Sequence, residues 1–322
     1  MKSFRLSMVG LFTMALSALA ADTPTLRQTI SLPSGVSTTF AAISPNSRRI
    51  AAACSDSKIR VWDVTSGSLL ITLDLNGERP NVMRFSPDSN LIAAGSTDGM
   101  LRLWDSSGAL RDDLKFATEI DALAFSPDSA RIAVAPNGLP IEVRDLGANK
   151  VLATLPATFS GSASIAFSRD GRWFASADTD TEIRIFDARD FTLRSRVTDL
   201  LLEPLALTFS PDGDRIMAGG ADGVVSLIET DTGKIVKTFP KQADVLLALR
   251  SSPDGKSLAA TYFNLDQVSA PSRVLIWDAL SGSLRSTVPP AGGGFNGGDY
   301  APDGTLLLTS NSEKELKIWA VH

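Results

Sequence analysis

A segment of about 42 residues recurs seven times along the 322-residue chain, its copies share one turn tetrapeptide, and its apolar runs are of strand length. Together these observations predict an all-β protein, a seven-bladed β-propeller of four-stranded antiparallel blades, because units of this size bury their apolar faces only by stacking on neighbours.

Within each unit the first strand is short and apolar, as in Ala122 to Phe125 or Ala206 to Phe209. A tetrapeptide then turns the chain: Ser44-Pro45-Asn46-Ser47, Ser86-Pro87-Asp88-Ser89, Ser126-Pro127-Asp128-Ser129, Ser168-Arg169-Asp170-Gly171, Ser210-Pro211-Asp212-Gly213, Ser252-Pro253-Asp254-Gly255 and Ala301-Pro302-Asp303-Gly304. Pro presets φ at its second position, Asp or Asn bonds its own backbone, and Gly permits positive φ where it occurs. The second strand is dense in Ile, Leu and Ala (Leu91 to Ala94, Leu258 to Ala260), which suits a strand covered on both faces. After a tight turn such as Thr97-Asp98-Gly99, the third strand alternates apolar with polar residues and ends at Trp62, Trp104, Arg144, Phe186, Ile228, Trp277 or Trp319. A fourth strand follows Ser-Gly or an equivalent, as in Ser68 to Leu73 and Lys234 to Phe239. The seventh unit stops directly after its third strand, whereas Thr25 to Leu32 looks like a fourth strand with no other place in the count. This N-terminal strand is therefore expected to complete the last blade and close the ring, leaving no open sheet edge.

The pattern resembles the WD40 repeat over about residues 22 to 322, carried by Trp62-Asp63, Trp104-Asp105 and Trp277-Asp278 and, in weaker form, by Arg144-Asp145, Phe186-Asp187, Ile228-Glu229 and Trp319-Ala320. The resemblance implies that an Asp in the turn between the second and third strands braces each blade, a position matched by Asp56, Asp98, Asp180 and Asp222. The third, sixth and seventh repeats depart, with Asn137-Gly138, an insertion and Glu313. The family's Gly-His pair is absent, so cohesion is expected to rest mainly on apolar stacking. Trp62, Trp104, Trp277 and Trp319 read as packing residues between sheets. The Ser-Pro-Asp-Gly turns are also similar to those of TolB-type periplasmic propellers, a near alternative with the same architecture.

Composition narrows the chemistry. Lys plus Arg number 31 against 36 for Asp plus Glu, with no basic cluster, which excludes nucleic acid as an expected partner. One Cys (Cys54) and one His (His322) exclude an intrachain disulfide, a His/Cys zinc cluster and an internal His base. Cys54 lies in an apolar strand and reads as a small packing residue. Lys2 and Arg5, the apolar run Met8 to Leu16 and the small-x-small pattern Ala18-Leu19-Ala20 read as a secretory signal peptide over residues 1–20, cleaved after Ala20. The apolar stretch is shorter than a span requires. Residues 21–322 then form a single propeller domain, secreted or periplasmic, with no membrane span after cleavage.

Loops longer than the repeat minimum point to a binding surface. The sixth repeat is longer by about seven residues, between Tyr262 and Ser272, and the next connection runs from Pro289 to Asp299. Both are expected on one face, on adjacent blades, so Tyr262, Phe263, Asn264, Asp266, Phe295, Asn296 and Asp299 are the candidate partner-binding residues. Glu78, Arg79, Glu119, Asp121, Glu203, Lys241 and Asp244 should share that face, giving it a mostly acidic character suited to a basic partner or, where carboxylates converge, a divalent ion. The Gly run 292–294 and 297–298 is followed by neither Lys-Ser/Thr nor a helix and is no phosphate loop. The expected function is a non-catalytic protein-interaction scaffold binding a protein or an envelope or wall component, with no catalytic residue, metal or cofactor. The alternative is a carboxylate- or metal-dependent hydrolase or lactonase-like propeller.

Overall fold

A computed structural model describes residues 23–156, 162–200, 203–263, 273–288, 295–301, 304–311 and 315–321. These form seven four-stranded antiparallel sheets, and among them there is no helix. Six sheets run in sequence order from the inner strand, a, to the outer strand, d. In the seventh, Thr25–Ser31 takes the outer place beside Glu315–Ala320, with Thr25 opposite Ala320 and Ser31 opposite Glu315. The ring is therefore closed by the N-terminal strand, as its sequence pattern predicts. The segment 1–20 read as a signal peptide lies outside the described residues.

The inner strands are Thr38–Ile43, Pro80–Phe85, Ile120–Phe125, Ser162–Phe167, Pro204–Phe209, Val245–Ser251 and Phe295–Tyr300. The tetrapeptide after each leaves its fourth residue in the left-handed region where described, whether Gly (Gly213, φ 74°) or Ser (Ser89, φ 64°). For a serine this conformation costs about 1–2 kcal/mol. The Ser89 and Ser129 hydroxyls offset that cost by accepting the backbone N–H of Asn46 and Asp88 from the preceding blade, each at 3.0 Å.

Strand b is where the blades meet. Ala51, Ala52, Ala53, Ala93, Ala94, Ala133 and Ala135 are all fully buried, since small side chains let twisted sheets approach closely. The strand-c tryptophans then fill the wider space farther from the axis. Trp104 packs with Ile59, Val61 and Leu73 of the preceding blade, and Trp62 with Leu308, Leu316 and Ile318 of the last. Trp319 packs with Val274 and Ile276, and its indole N–H donates to Thr309 Oγ1 at 2.8 Å.

Stacking is not the whole of the cohesion, which corrects the sequence expectation. An arginine on strand c reaches back to the turn aspartate and takes the place of the missing histidine. Arg60 holds Asp56 with two bonds, at 2.9 and 2.6 Å, and Arg102 holds Asp98 at 3.4 Å and Ser96 Oγ at 3.2 Å. Arg184 is bound by Asp178, by Asp180 at 2.6 Å and by Glu182 at 2.8 Å. The alternation Ile59-Arg60-Val61 thus puts a guanidinium in each of these blades where an imidazole was looked for. Asp222, whose strand c carries Ser226 instead, caps the Val224 N–H at 3.0 Å.

Candidate functional site

Each inner strand has a β-bulge at its second position from the repeat register: pairing with strand b skips Thr39, Asn81, Asp121, Ala163, Leu205, Leu247 and Asn296. A bulge leaves one residue unpaired and redirects it. Repeated seven times at the same level, it forms a rim around the central channel on the face where the d–a connections and b–c turns emerge. Leu247 is 42% exposed there, an apolar side chain in solvent on a strand whose other residues are buried or half-buried. Sequence reasoning missed this rim, because the bulge follows from strand pairing. Its only trace is the lack of a fixed residue type at that repeat position.

The acidic residues of the rim are already engaged. Asn137 Nδ2 donates to Asp121 Oδ2 at 2.9 Å and Asn81 Nδ2 to Glu119 Oε2 at 3.2 Å. Burial pushes the Asp121 carboxyl up, opposed by the Asn137 bond and reinforced by Glu119. Asp244, 8% exposed, is held by Arg273 through Nε at 2.9 Å and through Nη2. The acidic face expected from sequence is thus largely paired, and among the described residues no group of three or more His, Cys, Asp or Glu side chains is placed to share a metal ion.

The candidate residues divide. Tyr262 is no loop residue: strand b of the sixth blade runs through Ser257–Phe263, Tyr262 pairs with Arg273 and Leu246, and its side chain is 1% exposed in the core with Phe239 and Trp277. Tyr262 occupies the last regular position of strand b, held by Cys54 in the first blade and Ser96 in the second, and only Phe263 extends past it, which is why Tyr262 stays in the sheet. Burial raises its hydroxyl pKa, with the Trp277 indole opposing. Phe263, half-buried, ends that strand. Asn264 and Asp266 lie outside the described residues. Phe295 and Asn296 open the inner strand of the seventh blade, Phe295 opposite Asn311 and Asn296 at the bulge. Asp299, expected in the connecting loop, lies deep on this strand and faces the channel. Its carboxylate accepts Ile43 N–H at 3.0 Å and Arg250 Nε at 3.3 Å, bridging the sixth, seventh and first blades. Burial pushes this carboxyl up, with Arg250, the Ile43 N–H and Arg84 opposing. Cys54 is fully buried, and burial raises its thiol pKa, with Arg60 opposing.

The geometry described, a closed ring of seven sheets with a Trp-Asp or related ending on strand c, agrees with the family comparison. The model for "WD domain, G-beta repeat" matches residues 26–63, 67–105, 149–187 and 195–229. The chain belongs to the WD40-repeat family. The stretches without a match contain the third strands of blades three, six and seven, whose b–c turns lack the bracing Asp; the structure supplies these blades all the same. Among similar proteins, Autophagy-related protein 16 of Arabidopsis thaliana is 27% identical over 68% of this chain and 44% of its own length. Target of rapamycin complex subunit LST8 of Mus musculus is 23% identical over 63% of each chain. The guanine nucleotide-binding protein subunit beta of Zea mays is 27% identical over 48% of this chain and 42% of its own. The matched region thus covers about half to two thirds of these WD40 relatives.

Proposed function

We propose that this WD40 propeller is a non-catalytic scaffold working outside the cytosol, in the periplasm or secreted, and that it binds a protein or an envelope or wall component through the bulged rim at blades six and seven. The observation that carries this reading is a coincidence of position. Exposed Leu247 stands on the inner strand of the sixth blade, and the connection that exceeds the repeat length, 264–272, follows the neighbouring strand Ser257–Phe263; the connection before Phe295–Tyr300 is as long as those before Thr38–Ile43, Pro204–Phe209 and Val245–Ser251. An exposed apolar anchor on the blade that carries the insertion is the composition expected of a recognition patch. Relatives named as subunits of larger complexes, such as LST8 and THO complex subunit 3 of Arabidopsis thaliana, support the scaffold reading. The basic and apolar N-terminal run with Ala18-Leu19-Ala20 supports export.

The test is affinity capture from the native extracytosolic fraction with the chain starting at Ala21, alongside Leu247→Asp and a variant whose 264–272 segment is cut to the length of the second repeat's turn. The partner retained by the parent should be lost from both. Equal recovery by all three proteins would place the contact surface elsewhere. Isolation of the natural protein with residues 1–20 still attached would overturn its proposed compartment.

A further inference from the structure

The level of Asp299 in the channel is the same in every blade. It pairs with Leu308 of strand b, and the equivalent pairs are Ala42 with Ala51, Arg84 with Ala93, Ala124 with Ala133, Ala166 with Ala175, Thr208 with Met217 and Arg250 with Ala259. Four blades place Ala or Thr here, so the ring closes without any charge at this level. The other three place two guanidiniums and one carboxylate. Arg84, Arg250 and Asp299 line one cavity of about 410 Å³ that opens toward the bulged rim.

Their pairing is unequal. Both Asp299 oxygens are occupied, one by Arg250 Nε and the other by Ile43 N–H. Arg84 makes one bond, from Nη1 to the Met83 carbonyl at 2.8 Å, and among the described residues no carboxylate lies within ion-pair distance of it. Asp121 lines the same cavity but is bonded by Asn137, so most of the five Arg84 donors are unused. Burial, and then the Arg250 charge, bring Arg84 down to about 10, and Asp299 opposes this only in part. A half-buried guanidinium without an ion-pair partner gives up part of its hydration, and the alanines at the same level show that stacking does not need it.

The opposite mouth has a matching feature. Arg169 occupies the turn position held by Pro45, Pro87, Pro127, Pro211 and Pro253, and its Nη1 reaches across to the Pro253 carbonyl at 3.5 Å. It shares a cavity of about 570 Å³ with Phe125, Phe167, Phe209, Arg250 and Asp299. That vestibule offers an apolar ring wall and a second approach to the same guanidinium level.

We infer that the central channel is a binding site for a small organic carboxylate, its anionic group taken by Arg84 and Arg250 and its apolar body lying against Phe40 and Phe85 of the same cavity. A carboxylate fits because Arg84 has no ion-pair partner among the described residues and its guanidinium fork matches the two oxygens. This site lies in the channel below the rim proposed as the partner surface, and its test does not depend on a partner.

The probes are benzoate, its neutral isostere benzamide, and inorganic phosphate, measured by calorimetry and thermal melting at constant ionic strength. Benzoate should bind the full chain and raise its melting temperature, and benzamide should do neither. Arg84→Leu should melt no lower than the parent without ligand and bind benzoate at least tenfold more weakly. Asp299→Asn, which keeps an acceptor for Ile43 N–H but removes the competing charge, should bind it several-fold more tightly. Equal response to benzoate and benzamide, unchanged affinity in Arg84→Leu, or weaker binding by a folded Asp299→Asn would overturn the inference. Binding of phosphate in place of benzoate would overturn the carboxylate assignment.

Discussion

Replacing Arg184 by Met tests whether strand-c arginines brace the b–c hairpin within their blades, since the substitution keeps the aliphatic stem and removes the charge. The Arg184 side chain is 7% exposed and its partner Asp178 0%, with Asp180 and Glu182 at 28% and 25%. Removing one member of a buried pair costs about 3–5 kcal/mol, because the remaining charge keeps its desolvation penalty. Arg60→Met is the internal control: Asp56 is 31% exposed, so water takes over much of what the guanidinium supplied and the loss should be about 1 kcal/mol. With a urea slope of ~3 kcal/mol/M for a chain of this size, these losses move the midpoint by about 1.3 M and about 0.3 M. Tryptophan fluorescence reads both, as Trp62, Trp104 and Trp277 are buried. Asp178→Asn added to Arg184→Met should recover at least half of the loss by neutralising the stranded carboxylate. If Arg184→Met shifted the midpoint no more than Arg60→Met, or if the second change recovered nothing, apolar stacking alone would account for cohesion.

Acid stability should follow the turn aspartates. Serine hydroxyls (Ser126, Ser210, Ser252) hold the Asp128, Asp212 and Asp254 carboxyls below their ordinary value, against partial burial and with help from backbone N–H groups. A lowered folded pKa gives stability that is fully present above the unfolded value, about 3.9, and lost as pH falls through the folded values. Denaturation midpoints should therefore be flat from pH 5 to 7 and fall below about pH 4, less steeply in the triple Asp-to-Asn variant. Gly223→Ala should cost at least ~2 kcal/mol more than Gly138→Ala. Both glycines have positive φ, but a Cβ at Gly223 would meet the Gln242 and Asp244 carbonyl oxygens at 2.3 and 2.6 Å, whereas nothing lies within 4 Å of one at Gly138; paired melting curves decide. Deleting residues 22–33 removes the strand paired with Glu315–Ala320 and exposes its edge. The product should unfold or oligomerise on a sizing column, and a monomer with the parent's melting curve would contradict closure.

The sequence by itself determined the number of blades, the strand order and the closure of the ring. Those features are written in local chemistry repeated seven times: a turn that only certain residues make, an apolar period, and a strand-like segment at Thr25 to Leu32 with no other use. It also marked blade six as unusual in length, because an insertion is visible against a repeat. Tertiary structure alone decided where the marked residues went. Tyr262 remained in the core because its strand kept an apolar face to bury, and Asp299 turned to the channel because it occupies a fixed level of an inner strand. Arg84, Arg169 and Arg250 belong to three different repeats. They come together only because ring closure brings residues 84, 169, 250 and 299 to one axis, and no spacing along the chain encodes a distance across it.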